Sequence, residues 1–557
     1  DIANVRNYNY GSSKQTTATG SGNGGNGYIK ELSRITENIL TYTKNWDEHR
    51  FSATGVYSWQ DYVYENLSIS GKGFQNDETG AWDMGLADRE TMSYASGKYG
   101  NTLISFTGRF TYAYKDRYLM TATARYDGSS RFGTNNKWGF FPSVGLGWRI
   151  SEETFLANNK VITNLKLRGS YGITGNQEIG NYKSLAQLKS KNYIYNDALM
   201  QGFYETIGNP DLKWERTKQF DLGFDLSLWN RIHLNVDYYS RRTSDLLYDV
   251  PIPSTSGFST MLSNIGIVSN KGVEIALSGR IVETKDFKLD ATVNISKNKN
   301  EIKELYNDVE SITVTSGLGL SKYLKVGESL LSIYGLKSEG IIKTEEQLAA
   351  YQKIVPTAQL GDEMYADIDD DKAITAKDQI NIGETEPNFF YGVALNLEYK
   401  KFHLDILGQG AHDFAAVGAS NSDMKIGIHG YGDSFNYLLV GENQTDNRCC
   451  LPSKYAYERM WSPSNPNGTF PRAGASNLYL SDRSNSGWNY FIIKSIALSY
   501  DFGNNPIKGI KGIKGISAFV NLQNFITFAN HRGYNPENGD TSNPWIKTIT
   551  IGVNAKF

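Results

Sequence analysis

The sequence predicts an all-β fold, an antiparallel barrel of about fifteen or sixteen long strands. Three observations predict it. Apolar and polar residues alternate with period two over stretches of about ten residues or more. The connections alternate between tight turns and long irregular segments. Composition is rich in strand and turn formers, with 36 Tyr, 25 Phe and 55 Gly against 13 Pro in 557 residues. Such usage favours strands joined by turns over helices.

The alternation is clearest in the middle of the chain. Phe220, Leu222, Phe224, Leu226 and Leu228 share one face, opposite Asp221, Gly223, Asp225 and Ser227. A turn at Asn230 leads into Ile232, Leu234, Val236 and Tyr238, which oppose His233, Asn235, Asp237 and Tyr239. The two stretches therefore read as a hairpin. The same grammar recurs at Val273–Ser278, at Leu289–Ser296 after Lys285-Asp286, and at Tyr391–Tyr399 before Lys400-Lys401. Earlier, Ile104, Phe106, Phe110, Tyr112 and Tyr114 pass through Lys115-Asp116 into Tyr118, Met120, Ala122, Ala124 and Tyr126. At the end, Ile549, Ile551, Val553, Ala555 and Phe557 share a face, which suits a barrel whose last strand closes on its first.

Strand length separates a membrane barrel from a soluble sandwich. Ordinary strands run about 5–6 residues, whereas a tilted membrane strand needs about 9–11. These stretches reach the longer figure, with aromatic residues near their ends, as interfacial girdles require. Tight turns also include Asp47-Glu48, and the long segments span about 67–98, 174–214, 303–388 and 411–487, the outer-membrane asymmetry. Mean hydropathy is −0.46, and no apolar run reaches the roughly 18 residues of a membrane helix. A barrel escapes that test, because only alternate residues face lipid. Gly11–Gly27 is polar and low in complexity and reads as a mobile loop between strands.

Charge and cysteine content exclude other classes. The net charge is −2, from 57 basic and 59 acidic residues, so no global field points to nucleic acid. The two cysteines are adjacent, Cys449-Cys450, and form either a vicinal disulfide or two thiols. No leader precedes Asp1, as expected of an exported protein that has lost its signal peptide.

Several blocks resemble the SusC/RagA-like TonB-dependent transporters of the Bacteroidetes outer membrane. They are Asp116–Phe155 (DRYLMTATARYDGSSRFGTNNKWGFFPSVGLGWRISEETF), Leu165–Tyr182, Asn209–Tyr239 and Ser269–Gly279, followed by the closing strands with the turn Gly533-Tyr534-Asn535-Pro536-Glu537. The resemblance covers nearly the whole chain from about residue 100 onward, in the family's order. It implies the C-terminal portion of a barrel of about twenty-two strands, residues 1–557 forming one domain. The family's plug domain and TonB-engaging segment are not recognisable in the sequence. The implied function is TonB-dependent import of oligosaccharides or peptides across the cell outer membrane, with a SusD-like surface lipoprotein as lid. Paired barrels and lids are an implied assembly. The alternative is a structural or assembly partner barrel without active transport.

The clearest local chemistry is the stretch Asp367–Asp378. Asp367, Asp369 and Asp371, the Ala373 carbonyl, Thr375 and Asp378 occupy ligand positions of a calcium loop. Lys372 stands where Gly normally makes the sharp turn, so strain is expected there. Calcium, with magnesium the alternative, would order a loop; the bland reading is a solvated acidic turn. Tyr455, Tyr457, Trp461, Tyr479 and Trp488, set among Asn, Ser and Gly, are candidates for sugar or peptide recognition. Packing that holds a long loop together is the competing reading. The six His show no zinc spacing, and His233 and His403 fall on polar strand faces. No nucleophile elbow or split carboxylate pair appears, and no enzyme is expected.

Overall fold

The computed structural model describes residues 2–11, 22–74, 78–195, 198–258, 260–306, 309–315, 322–414, 458–472, 475, 479–484, 488–504, 514–529, 535–537 and 545–556. Sixteen strands form one antiparallel sheet in chain order, from Ile2–Gly11 to Thr548–Lys556, matching the expected number. Those two strands are the ends of the order. Five further two-stranded sheets lie in the long connections. The chain divides into two compact units. One comprises Asp1–Trp148, Gly169–Phe220 and Thr243–Gly266; the other comprises Arg149–Arg168, Asp221–Arg242 and Ile267–Phe557.

In the first unit the tight turns are made by residues in left-handed conformation. Lys115 and Asp116 both have φ of +55°, and the Arg117 amide donates to the Tyr114 carbonyl at 3.0 Å. This is the twist that a two-residue hairpin needs, bought here without glycine. In the second unit Trp229 and Asn230 repeat it, both with φ of +52°. Lys400 has φ of +54° between Phe389–Tyr399 and Phe402–Phe414.

The apolar faces are left uncovered. Leu40 is 79% exposed and Phe110 53% in the first unit; Ile551 is 79% exposed in the second. A water-soluble sheet buries such a face, whereas a lipid-facing one does not. Cross-strand pairing lines aromatic residues into rows. Trp46, His49, Tyr114, Tyr118 and Trp148 are successive partners at the short-turn end. Trp46 stacks on His49 at 5.1 Å. Thr36, Trp59, Ile104, Gly128 and Trp138 are successive partners ten residues further along each strand. At about 3.3 Å per residue and a tilt of about 40°, the rows stand about 25 Å apart, the height of an outer-membrane apolar band. Trp138 covers Gly128, where a Cβ would meet its ring at 2.8 Å, and stacks on Tyr126 at 4.8 Å.

Two boundaries differ from the sequence expectation. Gly22–Gly27 is not loop but the start of the strand Gly22–Trp46. Its glycines admit close neighbours, since a Cβ at Gly24 would lie 2.8 Å from that of Ala81. The long connection read at 67–98 is shorter, because strands His49–Phe74 and Ser93–Tyr114 extend into it. Leu67 and Ile69 continue the alternation there, masked in sequence by their polar neighbours. These strands run 25, 26 and 22 residues, far beyond what a membrane requires.

Candidate functional site

Two features gather the polar chemistry of the second unit. The first lies on the polar face of the sheet. Arg168, from strand Ile162–Asn176, meets Asp237 of strand Ile232–Ser244 through two bonds of 2.5 and 2.6 Å. Its Nε donates to Asp225 of strand Glu215–Leu228 at 3.2 Å. Asn235 donates to the same Asp225 oxygen at 2.9 Å, and Lys166 stands 3.9 Å from the carboxylate. One guanidinium thus holds two carboxylates that would otherwise repel. His233 is hydrogen-bonded to Ser227 at 2.9 Å, and His403 lies 3.9 Å from Glu398, both on the polar faces expected. Beside this network runs a groove of about 320 Å³. Asn235, Asp237, Glu274, Asn294 and Ser296 supply its polar groups, and Ile275, Ala276, Ile295, Phe390 and Tyr391 its apolar surface. A few polar groups set in a largely apolar lining with two rings suit a guest that has both hydrogen-bonding and apolar surface.

The second feature is the folded segment between strands Phe287–Glu304 and Phe389–Tyr399. Helix Glu345–Tyr351 starts on a capping box, Thr344 and Gln347 exchanging bonds with each other's amides. It packs Tyr351 beside Ile342 and Ala358. Tyr365 is nearly inaccessible, and its hydroxyl accepts from the Tyr479 amide at 3.0 Å. Two buried acids, Asp362 and Glu363, hold the distant segment 458–484. Arg472 donates to Asp362 at 2.7 Å, and Arg483 lies 3.7 Å from Glu363. Glu363 also accepts from Ser338 at 2.5 Å. Burial raises its carboxyl above the usual range, although Ser338 and Arg483 pull the other way. Burial likewise lifts the Tyr351 hydroxyl to about 12.

The acidic loop sits on this segment. Asp367, Asp369 and Asp371 bring one carboxylate oxygen each to within 4.8 Å of one another. Asp367 accepts from the Asp371 and Lys372 amides at 3.2 and 2.9 Å. Lys372 has φ of +65°, the expected strain at the position that prefers glycine. Asp378 is fully buried and accepts from the amides of Ile368 and Thr375, both at 2.7 Å. It braces the loop from inside, and Thr375 caps the following turn through the Lys377 amide. Three converging carboxylates fit a hard divalent cation.

Of the aromatic candidates, Trp461 and Tyr479 have described side chains. Trp461 is half-buried over Gly361, where a Cβ would meet its ring at 2.3 Å. Tyr479 lies against Tyr365, ring centres 5.5 Å apart. Both serve to pack the segment. Trp488 begins strand Trp488–Asn504, and its side chain lies outside the described residues, as do Tyr455, Tyr457 and the Cys449-Cys450 pair. Sequence reasoning missed Arg168, Asp362, Glu363, Arg472 and Arg483. Only Arg168 carried a signal, a lone guanidinium on the polar side of an alternating strand.

Comparison with known proteins settles the family. Residues 2–323 match the family model of the TonB dependent receptor-like beta-barrel. The chain belongs to the TonB-dependent receptors. It is 31% identical over 582 residues to TonB-dependent receptor P3 of Formosa agariphila, covering 99% of this chain and 55% of that one. It is 28% identical over 576 residues to TonB-dependent receptor SusC of Bacteroides thetaiotaomicron, covering 98% and 53%. The RagAB peptide importer in its closed-closed state superposes with a TM-score of 0.80 at 25% identity, covering 100% of this chain and 59% of that one. The chain therefore spans a little over half the length of these relatives. Its sheet is a receptor barrel of the outer membrane, not an enzyme.

Proposed function

We propose that this barrel forms the wall of a TonB-driven importer for oligosaccharides or peptides, working beneath a SusD-like surface lipoprotein. The observation that carries this reading is the lumenal groove of about 320 Å³ with its amides and carboxylates. Such a lining, with a few polar groups on a largely apolar surface, suits a chain that has both hydrogen-bonding and apolar faces. The likeness to a protein described as a peptide importer supports the same class. Paired barrels and lids, a plug and a TonB-binding segment would belong to the whole protein.

The acidic loop is proposed to take calcium, or magnesium, on Asp367, Asp369 and Asp371, with the Ala373 carbonyl and Thr375 as neighbouring oxygens. The ion would take the place of the Lys377 ammonium, which stands 3.5 and 3.9 Å from Asp369 and Asp371, and order the loop. Tyr455, Tyr457, Trp461, Tyr479 and Trp488 are proposed as the aromatic side of substrate recognition, Trp461 and Tyr479 through the fold they brace.

The test is uptake of labelled oligosaccharide and oligopeptide pools by cells carrying the full-length receptor, with and without TonB. TonB-dependent uptake of one class, reduced by Asp237→Asn with Glu274→Gln, is expected. Equal uptake without TonB, or none of either class, would leave the structural-partner reading in its place.

A further inference from the structure

We infer that the outward face of the first unit, just above the upper aromatic row, binds the phosphate-bearing headgroups of the outer-leaflet glycolipid. The inference rests on outer-membrane placement and is independent of the imported substrate. The ladder joining the three long strands runs without a bulge from the Trp46–His49 pair to the Asn23–Lys72 pair, and on the other side from His49–Tyr114 to Ser70–Ser93. Side-chain parity therefore holds along the whole length. Whatever lies an even number of residues above Leu40, Tyr57 and Phe106 shares their lipid-facing side.

Two residues above the upper aromatic row stand Arg34, Asp61 and Thr102 as cross-strand partners. That is about 7 Å along the strand and about 5 Å along the membrane normal, the depth of the headgroups. Arg34 is paired with Asp61 and lies over the Trp59 ring at 5.7 Å, yet its side chain stays 56% exposed. Four residues higher stand Lys30, Glu65 and Lys98. Lys98 contacts Glu65 at 2.6 Å and is 70% exposed. Between these rows lies the apolar row Leu32, Val63 and Gly100. The first strand adds Arg6, opposite Tyr28 and donating to Asn26 at 3.3 Å.

Among the described residues of this face above the upper aromatic row, the charged ones are Arg6, Lys30, Arg34 and Lys98 against Asp61 and Glu65. Positive charge is thus in excess at headgroup height and directly continuous with the lipid-facing band. Of the described carboxylates of the connection above, Glu78, Asp83, Asp88 and Glu90, Asp88 stands against Gly73, beyond the basic stretch. Phosphates on a glycolipid whose acyl chains lie against Leu40 and Tyr57 would reach Arg34 first. Phosphates on its inner sugars would reach Lys30 and Lys98.

The experiment is native mass spectrometry of the full-length receptor extracted from its own outer membrane in mild detergent. Wild type and a charge-matched control, Lys337→Gln with Lys353→Gln, are compared with Lys30→Gln/Lys98→Gln. A bound phosphorylated glycolipid is expected on wild type and control. Its occupancy should fall about tenfold in the double variant, and fall on wild type as salt is raised. Heat-modifiable mobility on gels checks folding, and Lys98→Gln alone serves if the double variant misfolds. Equal occupancy in the variant, or no phosphorylated lipid on wild type, overturns the proposal. Loss of a bound protein subunit from the variant with lipid unchanged also overturns it, assigning the face to protein docking.

Discussion

The Arg472 guanidinium donates to the buried Asp362 carboxylate at 2.7 Å, joining residues 110 positions apart in the chain. Around this bond the Arg472 amide donates to the Gly361 carbonyl at 2.8 Å, and the Leu336 amide donates to that of Leu480 at 2.7 Å. With the Arg483–Glu363 pair, this bond fastens residues 458–472 and 479–484 to the segment carrying the acidic loop. Replacing Arg472 with Met strands a buried carboxylate. The expected cost is about 3 kcal/mol of local stability. Hydrogen exchange in 458–472 should rise about a hundredfold. Unchanged protection in that stretch would show that packing alone holds it.

A second prediction concerns pH. Glu363 has its folded-state pKa raised by burial, so the folded segment binds a proton that the unfolded one has released. Its stability is fullest below the ordinary glutamate value and declines as pH rises through the window above it. Exchange in 458–484, corrected for intrinsic rate, should be slower at pH 5 than at pH 8. Glu363→Gln should remove that difference and match the protonated form. A dependence of the opposite sign would mean that Arg483 outweighs burial.

The lumenal network gives a third. Arg168→Met leaves Asp225 and Asp237 without their shared cation, and about 2–3 kcal/mol of barrel stability should be lost. Arg168→Lys should rescue little, since an ammonium cannot make the paired bonds to Asp237. Thermal unfolding of the full receptor in detergent measures both. Equal midpoints for the two variants and wild type would reduce the network to ornament.

The acidic loop gives a fourth. Calcium at about one hundred times its dissociation constant should stabilise the folded segment by about 2.7 kcal/mol. The effect should vanish on chelation and in Asp369→Asn/Asp371→Asn. Magnesium in place of calcium tests ion preference. A midpoint indifferent to both ions would make the loop a solvated turn.

The barrel was legible because its physics is periodic. Phe220 to Leu228 and Ile232 to Tyr238 declare their faces with no help from distant residues, and the Asn230 turn declares the hairpin. The long connections were not, for the opposite reason. Asp362 and Arg472 carry no periodic mark, and their pairing exists only once the fold has brought them together. The glycines of Gly22–Gly27 misled because low complexity resembles a loop, whereas here small residues let Ala81 and its neighbours close over a strand. The acidic loop was read by spacing, but the inward role of Asp378 depends on amides that sequence does not place.

The unbroken ladder between the two aromatic rows carries a consequence for descent. One residue gained or lost within Tyr118–Ser129 or Trp138–Arg149 would turn every ring beyond it in that strand to the opposite face. Exchanges of one side chain for another pass easily on such a wall, but changes of length are filtered by parity. Lineages of this barrel should therefore differ in strand length by pairs of residues, and confine odd-numbered gains and losses to the connections beyond the membrane.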